Sequence, residues 1–588
     1  MRGAPFRTVV DLADPQPQAQ DVRDKLTSLA KRRGFVWPSF ELYGGSAGFF
    51  DWGPLGTALK RNVQGQWLRL FVNEEGMLEL DSSLINPREV FEASGHIAEF
   101  TDLLVDCLGR CKGSFRADHL AEGHHPNPDT LEAEQIDALI AEKGIVCPEC
   151  GGPLGKARPF NLMFQTRVGP GEGREGYLRP ETAQGIFINF PHLYRLGRER
   201  LPFGIAQLGR AFRNEISPRQ GVVRLREFNM AEAEVFFHPR ERNWTGDIAN
   251  YRDLELLLVP REGKERRITI GAAIDEGIMH NRAVAYFVGL TARFLITVGV
   301  DPARLRFRQH LQTEMAHYAS DCWDAEALTS FGWVELVGVA DRGDYDLSRH
   351  QERSGQDLSV FVQYDEPREL DIERLTPVHK TLGPRFKGEA KAVAEALKAA
   401  DSSAINTDGS ARVVVQDGKG HKSMVTVPAE CFKLERVKEK LTGERVLPHV
   451  VEPSFGIDRI VWTALEHSYT ERAGEGDEVM TVLRLPAAVA PVIAAVLPLV
   501  NKDGIEELAM RLDAELKAAG IRTSYDGSGS IGRRYARADE VGVPFSVTVD
   551  YQTKEDQTVT IRWRDTQEQV RVPMAHLPGS LRELAGAD

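Results

Sequence analysis

The order of patterned segments predicts a mixed α/β protein, with a large domain carrying a long antiparallel hairpin among helices and a smaller α/β domain at the carboxy end. Three observations predict it. Residues 204–214 and 226–237 read as two long strands joined by a polar loop, 216–225, rich in Pro, Gly, Arg and Gln, which is the pattern of a hairpin with a working loop. Apolar residues recur at helical spacing over 21–33, 55–71, 281–297 and 457–469. From Val479 onward strand and helix alternate: a strand, a helix at 504–519, a strand, a helix at 532–541, then strands at 545–549 and 558–563.

The remaining elements follow in chain order. Residues 1–20 contain no apolar stretch of signal-peptide type and read as a mobile tail. Gly44, Gly45 and Gly48 mark a loop, and Pro54 opens the next helix. Residues 106–156 change character: two cysteine pairs flank a polar stretch and an acidic helix at 131–143, as in an insertion. A short helix is expected over 182–190 and another over 313–330. Residues 367–446 read as a second insertion with a helix at 388–400. The charged segment 470–477 reads as a linker between a domain at 21–475 and one at 478–588. The apolar run 485–500 is shorter than a bilayer span and holds Pro486, Pro491 and Pro498, so a strand, a turn and a buried helix are expected there rather than a membrane segment.

Composition narrows the function. A chain of 588 residues is too long for one core. Lys plus Arg total 73 against 86 Asp plus Glu, a net charge of −13, which argues against nonspecific coating of nucleic acid but leaves room for a local basic face. Six cysteines, four of them in two close pairs, do not make a disulfide framework and point to a reducing, cytoplasmic setting.

The hairpin carries the densest chemistry. Residues two apart share a strand face, so Arg213 and Glu215 share one, and Phe228, Met230, Glu232 and Glu234 share another. The intervening Ala231, Ala233 and Val235 are small or β-branched, and the loop supplies Arg219, Arg224 and Arg226. Alone, such a strand reads as half-exposed with its acids in water. With a basic loop beside it, it suits a nucleoside triphosphate.

At these residues the chain resembles a known family. Phe212-Arg213-Asn214-Glu215 with Arg224-Leu225-Arg226-Glu227-Phe228 resembles the second signature motif of class II aminoacyl-tRNA synthetases. Ser454-Phe455-Gly456-Ile457-Asp458-Arg459 resembles the third, and Ile85-Asn86-Pro87-Arg88 the first, the dimer-forming one. The strings Ala93-Ser94-Gly95-His96, Arg116-Ala117-Asp118-His119-Leu120, Leu178-Arg179-Pro180-Glu181-Thr182 and Glu314-Met315-Ala316-His317-Tyr318 are similar to the single-polypeptide, homodimeric glycyl-tRNA synthetases. The resemblance implies a class II antiparallel sheet flanked by helices with a carboxy-terminal anticodon-binding domain. It implies ATP and glycine as substrates, tRNA(Gly) as partner, Mg²⁺ with the ATP, a homodimer, and no membrane.

It also implies roles. Arg213 would meet the α-phosphate, Arg459 the γ-phosphate and Phe228 the adenine, with Asn214, Glu215, Arg224, Arg226, Leu336 and Gly456 in the ATP-binding set. Arg213, Glu215 and Arg459 make up the catalytic set. Glu335 is the magnesium candidate, with Glu452 a second. Glu181 and Glu232 would hold the glycine ammonium and Ser454 close the pocket, with Arg116, Phe228, Glu452 and Gly456 also facing glycine. Cys107, Cys111, Cys147 and Cys150 have zinc-ligand spacing, structural rather than catalytic; His124 and His125 are alternative ligands that read rather as surface residues. His310 and His317, seven apart, could suggest a metal, but without HExxH spacing they read as packing residues of a helix. Gly527 to Tyr535 is a Gly/Ser loop opening a basic helix, with Arg533 and Arg534 as anticodon-binding candidates. Two alternatives stand beside this reading: a non-catalytic class II paralogue serving as an RNA-binding or regulatory protein, and a ligase for proline, serine or threonine.

Overall fold

Alternating small and β-branched residues build a nine-stranded sheet. The computed structural model describes residues 16–125, 128–218, 221–241, 247–312, 315, 319–416, 422–474 and 479–586. The strands are β1 (Leu78–Glu79), β2 (Phe203–Phe212), β3 (Glu227–Phe237), β4 (Glu255–Val259), β5 (Arg266–Thr269), β6 (Leu305–Gln309), β7 (Asp321–Thr329), β8 (Gly332–Gly343) and β9 (His449–Gly456). Their order is β5-β4-β6-β7-β8-β9-β3-β2-β1. The middle of the sheet, from β6 to β2, is antiparallel throughout.

One face of the sheet is apolar. Ala231, Ala233 and Val235 from β3, Trp323 and Ala325 from β7, and Val451 and Phe455 from β9 are buried in the main core. Three helices cover that face: α2 (Pro54–Leu68), which follows the helix α1 (Gln16–Arg33) and sets Trp67 against Phe455, α4 (Arg282–Thr297) and α5 (Ile457–Ser468). Helix α4 is apolar on nearly all sides, as a fully buried helix must be, and Asn281 caps it by accepting from the N–H groups of Ala283 and Val284. On the other face the short helix α3 (Ala183–Ile188) packs against β3 through Phe187 and Phe236.

The carboxy-terminal part has its own sheet: β10 (Ala494–Pro498), β11 (Thr523–Tyr525), β12 (Phe545–Val549), β13 (Thr558–Trp563) and β14 (Gln569–Pro573), in the order β11-β10-β12-β13-β14. Helices α6 (Ile505–Ala518) and α7 (Ile531–Glu540) flank it, with Leu512, Leu516, Val547 and Ile561 in its core. A separate compact unit spans Ser359–Val446. There the long strands Val360–Pro377 and Phe432–Val446 pair antiparallel, and Leu375, Val393, Leu397 and Val413 form a small core with the helix Ala390–Ala399.

Three expectations are corrected. The helix expected over 313–330 is overturned in its described part: 321–329 form β7, because Trp323, Ala325 and Ala327 alternate into the core and pair with β6 and β8. His317 and Arg219 lie outside the described residues. Residues 485–500 hold no helix; the prolines break it, and Ala494–Pro498 become a buried parallel strand. The segment 470–477 is not simply a linker. Tyr469–Ala473 pair with Val479–Leu483 as a hairpin, and Leu483, Leu485 and Val489 join the main core.

Candidate active site

The polar face of the sheet centre forms a cleft. On β3, Phe228, Met230, Glu232 and Glu234 follow one another on this side; on β9, Glu452, Ser454 and Gly456 do so, with Glu232 opposite Ser454 and Met230 opposite Gly456. The cleft has two adjoining halves that share Arg213, Met230, Glu335 and Ser454.

The first half, about 670 Å³, is lined by Arg213, Arg224, Phe228, Glu335, Gly456 and Arg459, with Glu215 and Leu336 beside them. Arg213 lies 5.4 Å from the Phe228 ring and donates through Nε to the Pro180 carbonyl. It makes no ion pair with Glu215, which faces Arg224 at 3.8 Å. Arg459, in the first turn of α5 after Gly456, donates to the carbonyls of Val223 and Glu335 and approaches the Glu335 carboxylate at 3.4 Å. A cationic rim over an aromatic ring thus frames this half.

The second half, about 720 Å³, is rich in carboxylates: Glu181, Glu232, Glu335 and Glu452 line it with Ser454. Glu232 is held from three sides. It accepts from the N–H and hydroxyl of Thr182 through one oxygen and from the Ser454 hydroxyl at 2.7 Å through the other. Glu181 accepts from Gln184 at 2.9 Å and has His96 at 3.4 Å. Burial pushes its carboxyl up, but His96 and Arg342 outweigh this and hold it below the usual carboxylate range.

Arg342 and Asp346 were not singled out from the sequence, and Glu234 was placed on the strand face without a role. Arg342 is fully buried, donates bidentately to Asp346 and forks onto Glu452 at 2.9 and 3.0 Å. Burial nevertheless pushes the Glu452 carboxyl up to about 7, Arg342 opposing and Glu232 and Glu181 adding to the rise. The pairs Glu232↔Ser454 and Val235↔Val451 set Glu234 opposite Glu452. Neither Glu234 oxygen has a hydrogen-bond partner, and burial followed by the neighbouring Glu452 pushes its carboxyl well up. The spacing of Arg342 and Asp346 was the available signal, but only the sheet order brings that pair to Glu452.

Some expected site residues lie elsewhere. Arg226 lines neither half; it donates to the carbonyls of Glu215 and Ala47 and ties the glycine loop to the hairpin. Asn214 likewise lines neither half, its N–H donating to Leu162. Arg116 is held between Asp102 at 2.8 Å and Asp118 at 2.6 Å, outside both halves.

Family models match two parts of the chain: the tRNA synthetase class II core domain (G, H, P, S and T) over residues 166–263, and the anticodon binding domain over 494–584. A glycine–tRNA ligase of Methanothrix thermoacetophila is 50% identical, over 96% of this chain and 97% of that protein. The glycine–tRNA ligase of Methanocaldococcus jannaschii is 47% identical over 96% and 99%, and that of Archaeoglobus fulgidus 49% over 94% and 95%. The chain belongs to the glycine–tRNA ligase family. A crystal structure of a Cryptosporidium parvum prolyl-tRNA synthetase with L-proline and AMP matches at a TM-score of 0.50 and 12% identity, covering 97% of this chain and 76% of that one, which shows the class II fold.

Two further sets of expected residues complete this member of the family. The sulfurs of Cys107, Cys111, Cys147 and Cys150 all lie within 4.8 Å of one another, with Cys107–Cys150 at 3.5 Å and Cys111–Cys147 at 3.4 Å, and all four are free of disulfides. Backbone N–H groups of Gly109 and Gly113 donate to two of them. In the carboxy-terminal part Arg533 is exposed, whereas Arg534 is buried and spends its guanidinium on the carbonyls of Pro498, Gly527, Ser528 and Gly529. Arg534 therefore shapes the Gly/Ser loop, and only Arg533 of the two faces solvent.

Proposed function

We propose that the chain is an ATP-dependent glycine–tRNA ligase, which joins glycine to ATP as glycyl-adenylate, releases pyrophosphate and transfers glycine to the 3′ end of tRNA(Gly). The observation that carries this reading is the carboxylate-lined half of the cleft. Glu181, Glu232 and Glu452 surround a space floored by Ser454, and such a space suits an ammonium group with no side chain beyond the α-carbon. The glycine carboxylate is ionised at neutral pH, so attack on the α-phosphorus needs positioning and charge neutralisation rather than a base.

In this reading Arg213 meets the α-phosphate, Phe228 stacks on adenine, and Arg459 and Arg224 neutralise the outer phosphates. Glu335 touches both halves of the cleft and would hold Mg²⁺, which supplies charge neutralisation on the phosphates. Arg226 and Arg116 act as positioning residues for the loop and hairpin. The four cysteines would hold a structural Zn²⁺: tetrahedral thiolate ligands at about 2.3 Å sit roughly 3.8 Å apart, close to the observed sulfur spacing. Pairing through the Ile85–Pro87 region as a homodimer, RNA contact at Arg533 and a cytoplasmic location complete the proposal. No described helix is long and apolar enough to cross a membrane.

The test is amino-acid-dependent exchange of pyrophosphate into ATP without tRNA. Glycine should support it and Arg213→Ala should slow it by about 10²–10³-fold, the usual loss when a transition-state charge loses a donor. Equal exchange with serine or alanine would overturn the glycine assignment, and a near-normal rate in the variant would overturn the role of Arg213.

A further inference from the structure

The wall of the second half-cleft contributed by β6 and β7 holds a group that the proposed chemistry does not use. His310 follows β6, and its N–H donates to the Cys322 carbonyl at 3.0 Å, so the two residues face each other across the strands. Asp324 lies two residues beyond Cys322 on β7 and shares its face. One imidazole nitrogen, one sulfur and one carboxylate oxygen from these residues all lie within 4.8 Å of one another. The closest approaches are His310 Nε2 to Asp324 Oδ2, 2.6 Å, and Cys322 Sγ to Asp324 Oδ1, 3.8 Å.

A cation bound tetrahedrally to sulfur at about 2.3 Å and to oxygen at about 2.0 Å separates the two ligands by roughly 3.5 Å. The Cys322–Asp324 pair is already near that spacing. The space in front of the trio is open because its partners on β8 are small: Ala340 stands opposite Cys322 and Gly338 opposite Asp324. A methyl group on Gly338 would come within 3.7 Å of Asp324 Oδ1. The surroundings attract cations: Glu181, Glu232, Glu335 and Glu452 line the same space, and Arg213 is the only arginine or lysine among its described lining residues.

We propose that His310, Cys322 and Asp324 form a site for a borderline divalent cation of the zinc class, and that its occupancy excludes glycine. The exclusion rests on the assignment of the adjoining carboxylates to glycine. On binding, the Cys322 thiol releases its proton to solvent and ligates as thiolate. The imidazole gives up its 2.6 Å hydrogen bond to Asp324 Oδ2, its single proton moving by way of solvent to Nδ1, an atom with no hydrogen-bond partner in the structure, and ligates through the freed Nε2. Asp324 ligates through Oδ1 while Oδ2 stays 3.6 Å from Arg308. Three protein ligands leave a fourth position open, unlike the four-cysteine cluster, so this ion exchanges. A thiol and an imidazole disfavour magnesium, which keeps to oxygen ligands, so the ATP-bound metal does not compete.

The experiment titrates the full-length protein, with its native metal content, using Co²⁺ alone and reads thiolate-to-cobalt charge-transfer absorption in wild type and Cys322→Ser. The expected result is about one added equivalent in wild type, chased by Zn²⁺ and absent from the variant. An equal band in Cys322→Ser, or none in wild type, would overturn the site. In parallel, Zn²⁺ in the presence of excess Mg²⁺ should raise the apparent KM for glycine at least tenfold with kcat unchanged. Each variant is compared with its own metal-free rate, and Cys322→Ser should lose the effect. A cobalt band that depends on Cys322 without competition against glycine would leave the metal site standing and overturn the exclusion, counting against glycine in this half-cleft.

Discussion

Glu234 is the residue whose chemistry departs furthest from its appearance in the sequence. It lies among buried strands opposite Glu452, with no cation of its own and both oxygens without partners. Burial and the facing Glu452 both disfavour a charge on Glu234, whereas Glu452 pairs with Arg342. Its folded-state value is raised, so its contribution to stability is complete below the ordinary carboxylate range. It is lost as pH rises towards the folded value, because the unfolded chain releases the proton first. Glu234→Gln, which mimics the neutral acid, should match wild type near pH 4.5 and gain on it above, by at most about 1.4 kcal/mol per pH unit. Urea denaturation at pH 5 and pH 8 checks this, and a constant difference between the two pH values would refute the raised carboxyl. The two arginines of the Gly/Ser loop should separate in the same way. Arg534→Ala strands several buried carbonyls and should destabilise the carboxy-terminal part by roughly 3 kcal/mol. Arg533→Ala should leave stability alone, weaken tRNA binding and lower its salt slope by about one. Equal stability of both variants, or an unchanged slope for Arg533→Ala, would reverse these roles. What was legible at this scale was whatever sat in a local string: Arg213, Phe228, Glu232, Ser454 and Arg459 all line the cleft. Arg342 was not, because its partners at 346 and 452 lie on separate segments that only the fold brings together.

Among the elements, the cysteine cluster has the clearest mechanical purpose. Cys107 and Cys111 leave the strand Thr101–Asp106, and Cys147 and Cys150 precede the strand Arg158–Asn161, which pairs with it. A metal there would pin both ends of a segment whose own core is small. About one zinc per chain should be found by metal analysis, and chelation should expose residues 101–161 to protease before the rest of the chain. Absence of zinc together with rapid alkylation of all four thiols in the native state would refute this. Elements with strong local signals were readable: α5, β12 and β13 appear within a residue or so of expectation. The strand β7 was not, because His310 and His317 share a helical spacing, whereas the alternation of Trp323, Ala325 and Ala327 makes sense only beside β6 and β8. The parallel strand β10 misled for a related reason. Buried on both faces, it shows a continuous apolar run with no period to distinguish strand from helix.

Across the whole molecule, the main core reaches further along the chain than composition suggests. Val479–Leu483 complete a hairpin, and Leu483, Leu485 and Val489 fill the main core, while the Asn62 amide donates to the carbonyls of Val489 and Ala490. Removing those three side chains withdraws about 1.5–3 kcal/mol each. A chain ending at Gly474 should therefore fold poorly. One ending at Ala490 should form glycyl-adenylate, sediment as a dimer at micromolar concentration, and charge tRNA weakly. Full charging at normal tRNA affinity, loss of adenylate formation, or a monomer would each contradict one part of this. The position of β9 has a consequence for synthesis. It is inserted between β8 and β3 at the middle of the sheet, yet it is made after the excursion Ser359–Val446. While the ribosome is translating that excursion, β3 and β8 each present a naked edge, the kind of surface that recruits foreign strands. The excursion has its own core and can fold while still attached. The floor of the cleft, by contrast, closes only when His449–Gly456 emerge, so a nascent chain lacks the complete cleft and is most vulnerable to misassociation until its last quarter is on its way out of the exit tunnel.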